Sequence, residues 1–168
     1  MVRIAGAVMV AALALGVAPA AQAGFTSAGT PIVLSGPILF KIAGSPVYTC
    51  TLTLNATISS GGTTMTVSSG SMGPPGAPCG VITPWFSPAW SFNTLPPSGG
   101  TTVTDMTISN LFLHTFLGDC RETIEVQWND AANILTIPTQ AVGPAPAPYG
   151  CEISGTLVSS QDLTITYP

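Results

Sequence analysis

The sequence predicts an all-β fold. It is read as a single-domain antiparallel β-sandwich or small β-barrel, stapled by two disulfides and preceded by a cleaved signal-peptide helix. Three observations carry this. Apolar residues alternate with Thr, Ser and charged residues at a period of two, segment after segment. Gly and Pro, 18 and 16 of the 168 residues, cluster between those segments. Four cysteines, Cys50, Cys79, Cys120 and Cys151, form an even set in a chain that begins like an exported one.

The start reads as a leader. Met1–Val2–Arg3 is short and positive, Ile4 to Ala18 is an unbroken apolar stretch, and Ala21–Gln22–Ala23 offers the small-x-small pattern of a signal-peptidase site. Cleavage is expected before Gly24, which makes residues 1–23 a secretory signal peptide and residues 24–168 an all-β secreted domain. No later stretch approaches the ~18 consecutive apolar residues of a membrane-spanning helix. The expectation is a protein with no transmembrane segment in its mature chain, secreted to the extracellular space or cell surface, with the periplasm as the other export destination. Behind the leader only Lys41 and Arg121 are cationic, against Asp105, Asp119, Glu122, Glu125, Asp130, Glu152 and Asp162. So thin and acidic a charge set excludes nucleic-acid binding, which needs dense cations to neutralise phosphates.

The elements follow in order. Ile32–Leu34 and Ile38–Phe40 are short strands. In Tyr48–Ile58 the even positions carry Tyr48, Cys50, Leu52, Leu54, Ala56 and Ile58, and the odd ones are mostly Thr, so one face is buried and the other is lined with hydroxyls. Gly61–Gly62 supplies a tight turn and Thr64–Ser71 returns as the second arm of a hairpin. After the Gly73–Pro78 loop, Ala89–Phe92 is a short strand. Thr101–Leu113 follows the Leu95–Gly100 loop, and Asn110–Leu117 reads as either a buried strand or a short helical turn. Glu122–Trp128 alternates again, with Ile124, Val126 and Trp128 on one face. A turn at Asn129–Asn133 leads into Ile134–Val142, where Pro138 forces an edge or a bulge because it has no N–H to donate. Beyond the Gly143–Pro148 loop, Cys151–Val158 is expected to pair with Leu163–Tyr167 around Ser159–Asp162.

Cysteine pairing follows from the first hairpin. Cys50 opens the outgoing strand and Cys79 lies just beyond the return, so both fall near one edge. Of the three connectivities, this favours Cys50–Cys79 with Cys120–Cys151. Zinc is the rival use of cysteine, but no pair has close C-x₂₋₄-C spacing and His114 is the sole histidine.

Catalytic constellations are scarce. No G-x-S-x-G elbow is present, and His114 sits in the apolar run Leu111–Leu117, where it reads as a core or edge histidine with a backbone partner. Asp119, Glu122 and Glu125 cluster in sequence, yet Glu122 and Glu125 alternate onto opposite strand faces, unlike the facing carboxylates of a glycosidase. No catalytic, cofactor-binding or metal-binding residue is assigned, and the protein is read as non-enzymatic. Within Pro84–Phe92, Trp90 and Phe92 share one face and read as core, whereas Trp85 and Phe86, flanked by prolines, are the candidates for apolar contact.

The order of motifs carries a resemblance. An early Cys in a Thr-rich strand is followed by Pro78–Cys79 and Pro84–Trp85, then Cys120 ahead of the strand end Trp128–Asn129, and finally Cys151–Glu152–Ile153–Ser154–Gly155–Thr156–Leu157. This resembles the PraA/PraB-like family of secreted bacterial proteins, the protein activators of alkane oxidation. The resemblance implies a non-catalytic extracellular protein linked to growth on water-insoluble hydrocarbons and to cell-surface or biofilm behaviour.

Three functions are therefore expected, in order. The first is a secreted or cell-surface protein whose surface assists contact with hydrophobic substrates, in hydrocarbon emulsification or uptake. The second is a structural subunit or adhesin of a biofilm matrix or surface fibre, with Phe25–Phe40 either adding to a neighbour's sheet or remaining an ordinary edge strand at home. The third is a small apolar-ligand carrier or an enzyme. The expected partners are hydrophobic material or other copies of the chain.

Overall fold

The computed structural model describes residues 24–27, 31–42, 44–95, 103–143 and 150–166. The expected leader, residues 1–23, lies outside the described residues, as do most of the Leu95–Gly100 and Gly143–Pro148 loops and the end of the last strand at Tyr167.

Among the described residues there are eleven strands: β1 (Gly24–Ser27), β2 (Ile32–Ile42), β3 (Tyr48–Ile58), β4 (Met65–Gly73), β5 (Thr83–Pro84), β6 (Trp90–Thr94), β7 (Val103–Thr115), β8 (Gly118–Asn129), β9 (Ile134–Val142), β10 (Cys151–Ser159) and β11 (Leu163–Thr166). A 3₁₀ turn at Cys79–Val81 is the one helical piece described. The strands hydrogen-bond in the order β7-β6-β4-β3-β2-β10-β9-β8, and β8 pairs back onto β7, so eight strands close an antiparallel barrel. β5 flanks β7 outside that ring, and β1 with β11 forms a separate two-stranded sheet. Of the two expected architectures, the molecule takes the barrel.

Alternation explains the wall. β3 spans Tyr48–Ile58 as the period-two pattern requires, with Cys50, Leu52, Leu54 and Ala56 buried and Thr49, Thr51 and Thr57 exposed. The interior is filled by such side chains from every strand, including Phe40, Trp90, Phe92 and Trp128, as an eight-stranded ring of this width permits. Apolar inside and Thr-rich outside is the reverse of the alternation in a lipid-embedded barrel.

Two local expectations are corrected, and one open alternative is resolved as strand. Ile32–Leu34 and Ile38–Phe40 belong to one strand, because β2 runs through Gly36–Pro37. It can do so because the β10 ladder skips Gly36 and Pro37, where proline has no N–H to give. Asn110–Leu117 is strand as far as Thr115, with a bulge at Asn110 (φ 61°) that shifts the β7–β8 register. The last expected hairpin does not form. β10 pairs with β2 and β9, while β11 departs to pair with β1, Gly24 opposite Thr166.

That β1–β11 sheet caps one pole. Phe25, Leu163 and Ile165 are buried beneath it. The Asp130 carboxylate fixes it by accepting from Trp128 Nε1–H (2.7 Å) and from the Ile165 N–H (3.2 Å). Asn133 (φ 56°) accepts from the Leu163 N–H and donates to the Gln161 carbonyl. Within the Phe25–Phe40 segment, Phe25–Ser27 pairs with β11 and Ile32–Phe40 with β3 and β10, so its described residues lie in sheets of their own chain.

The opposite pole holds both disulfides, Cys50–Cys79 and Cys120–Cys151. All four sulfurs are buried, and the pairing is the one the hairpin argument favours. Two close approaches hold the wall between these poles. A Cβ on Gly36 would collide with the Thr156 carbonyl oxygen. One on Gly155, whose φ is +149°, would meet the Pro37 carbonyl oxygen at 2.5 Å. The glycine of the Cys151–Leu157 motif is therefore required by backbone geometry and by contact with β2.

Candidate functional site

The disulfide pole also carries the exposed aromatic surface. Trp85 is 51% exposed, and its backbone is fixed on both sides. Its N–H donates to the Phe112 carbonyl (2.9 Å), and its own carbonyl accepts from Trp90 Nε1–H (2.8 Å). The indole of Trp85 is thus presented outward from a rigid stem, tilted against the Phe112 ring at 6.4 Å. Phe112 points outward because Leu111 and Leu113, on either side of it, point into the barrel.

Arg121 lies directly across the β7–β8 ladder from Phe112, and its guanidinium sits 5.7 Å from the ring centroid. One step further along, His114 is paired with Asp119, and Nδ1 and Oδ1 lie 2.6 Å apart. On this outer face Asp119 is thus paired with His114 and Arg121 rests on an aromatic ring.

The β7–β8 hairpin ends in Phe116–Leu117, 61% and 37% exposed. Tight turns ordinarily carry Gly, Asn or Asp, so two large apolar residues at a tip contradict the usual turn chemistry. The turn is nonetheless held firmly. Thr115 Oγ1 donates to the Gly118 carbonyl (2.6 Å) and accepts from the Leu117 N–H (3.2 Å). Val81, at the end of the 3₁₀ turn that precedes β5, is exposed as well.

Trp85 and Phe86 diverge. Trp85 is exposed as the prolines around it suggest. Phe86 is half-buried, stacked 4.7 Å from Trp90 and seated over Gly70, where a Cβ would stand 3.0 Å from its ring. Trp90 and Phe92 are core, as their shared face requires.

His114 departs from expectation. It is an exposed strand residue bound to a carboxylate rather than a core or edge histidine with a backbone partner, because the Asn110 bulge inverts the phase of β7 and turns it outward. Asp119, Glu122 and Glu125 are all exposed on β8. Among the described residues no three of His, Cys, Asp and Glu gather as a metal site, and no helix is long and apolar enough to cross a membrane.

Phe112, Phe116 and Leu117 were the members of this surface that alternation did not reveal. Inside an apolar run, which residues face out depends on the bulge, and only the unusual turn composition signals it.

The comparisons agree with the motif order. The family described as alkane oxidation protein activator PraA/PraB-like matches residues 1–167, essentially the whole chain. No curated protein and no solved structure matches it. The chain belongs to the PraA/PraB-like alkane oxidation protein activator family.

Proposed function

We propose that this activator-family protein is an exported, non-catalytic accessory that works at apolar surfaces through its disulfide pole. The observation that carries the reading is the outward presentation of Trp85 against Phe112, with Phe116 exposed at the tip of the same β7–β8 hairpin. Exposed apolar groups of this size, clustered rather than scattered, mark interaction sites in soluble proteins. Little net charge opposes approach to an uncharged phase, and the packed barrel interior directs attention to the outer surface. In this reading the protein assists emulsification or uptake of water-insoluble hydrocarbon, and oxidation of the alkane belongs to other proteins.

The test is adsorption of purified residues 24–168 at a hexadecane–water interface by drop tensiometry. The protein is expected to lower the tension well beyond an inert secreted protein of equal size, and Trp85→Ser with Phe116→Ser to abolish most of that excess. A double variant as surface-active as the parent would overturn the assignment of this pole.

A further inference from the structure

Two ladders of the barrel are short, and the one between β8 and β9 is closed in an unusual way. It comprises Gln127–Thr136, Trp128–Leu135 and Asn129–Ile134, all near the capped pole. Below that level β8 stays paired with β7 down to Gly118, and β9 stays paired with β10 as far as Val142. The two strands have lost only each other. Pro138 stands where the loss begins and removes one donor.

Side chains take the place of the missing ladder. In an antiparallel strand, alternate residues send both N–H and C=O to the same neighbour. The Glu125 peptide groups reach Gln140 of β9, so Thr123, two residues along β8, faces the seam as well. The Gln140 amide accepts from the Glu125 N–H (2.9 Å) and donates to the Glu125 carbonyl (2.6 Å), as a peptide group of a paired strand does. The Glu122 carboxylate accepts from the Thr123 N–H (3.2 Å). Glu122 is exposed although it is in phase with the buried Cys120 and Ile124, so the wall there is no longer shut over its inner face. Only at the far pole does a covalent bond span the gap, where Cys120 of β8 joins Cys151 of β10.

We propose that the β8–β9 seam is a lateral gate in the barrel wall, locked by Cys120–Cys151 and held between lock and ladder by Gln140, while Glu122 covers the Thr123 N–H from within β8. When the lock is opened, β8 and β9 part from the disulfide pole upward while the rest of the ring stays zipped. Opening frees the Thr123 and Glu125 peptide groups and uncovers the apolar lining at Ile124 and Val126. A dithiol reductant that opens the lock delivers two electrons and two protons, leaves Cys120 and Cys151 as thiols, and becomes a disulfide itself. Both cysteines are buried, so the bond is shielded from reductants and is reached only through local fluctuation of the pole, after which its reduction lets the seam part.

Amide hydrogen exchange followed by NMR on residues 24–168 tests this. In Cys120→Ser/Cys151→Ser, exchange at Glu125 and Thr123 should rise about tenfold or more relative to Leu52 and Leu54 of β3. Equal acceleration at all four sites would show a general staple and overturn the gate, as would no change. A second variant, Gln140→Ala with both disulfides intact, should speed Glu125 and Thr123 together by several-fold and leave Leu54 unchanged. Exchange at Glu125 that is indifferent to Gln140 would equally reject the proposal. Cys50→Ser/Cys79→Ser is the control, expected to leave the seam's rates relative to Leu54 unaltered.

Discussion

The barrel is two zipped sheets joined along two short seams, and the seams are closed by different physics. At β4–β6 the ladder is Met65–Phe92, Thr66–Ser91 and Val67–Trp90, and beyond it apolar packing takes over. Phe86 covers the gap, with its ring on Trp90 and above Gly70, while Cys50–Cys79 ties the covering segment to β3. At β8–β9 the ladder is equally short, but polar side chains answer the unpaired peptide groups and the disulfide crosses the gap itself. Packing excludes water from its seam, whereas side-chain hydrogen bonds near solvent exchange readily with water and contribute less. One seam is covered and the other is bolted.

The largest expected effects come from removing the bridges. The loops they close span 29 and 31 residues, so restriction of the unfolded chain is worth nearly the same for each, about 3–4 kcal/mol. Cys120→Ser/Cys151→Ser should nevertheless cost more than Cys50→Ser/Cys79→Ser in urea unfolding, because it also unbolts a seam with no apolar cover. Equal losses would erase the distinction. Gly155→Ala should cost about 2–4 kcal/mol by the same measurement, since it strains a left-handed backbone and collides with β2, and it tests the wall between the seams. Next is Phe86→Ala, expected to lower stability by about 2 kcal/mol through lost burial at the covered seam. Gln140→Ala should cost about 1 kcal/mol, the net value of an exposed hydrogen-bonded amide. A Gln140 effect as large as that of Phe86 would mean that the two seams are closed alike. Trp85→Ser should change the unfolding free energy least, within about 0.5 kcal/mol in the same urea measurement, because its ring is outside the core.

Much of this was legible because it is local. Tyr48–Ile58 alternates without interruption, its hairpin is short, and the two bridges follow from where that hairpin ends. The Pro138 irregularity was legible too, since a missing donor must disrupt a ladder wherever it stands. Longer-range choices were not. The segment Leu163–Thr166 has a plausible partner four residues upstream, yet it pairs with a strand some 140 positions away, because Asp130 and Asn133 capture its backbone as it leaves β10. Alternation states which face of a strand is buried and is silent on which strand lies beside it. The aromatic surface was half legible. Prolines marked Trp85 as exposed, but Phe116 lay within an apolar run whose phase is set by the bulge at Asn110.

The pairing of Gly24 with Thr166 gives the molecule a direction. Both ends of the described chain lie at the capped pole, while Trp85 and Phe116 crown the other, most of the length of β8 away. A graft beside Gly24 or Thr166, whether to a bead, a cell envelope or another domain, should therefore stand the barrel upright with its aromatic crown facing outward. Immobilised beside Gly24 the protein should show the oil adsorption proposed for its aromatic pole, and immobilised through a lysine introduced near Phe116 it should not.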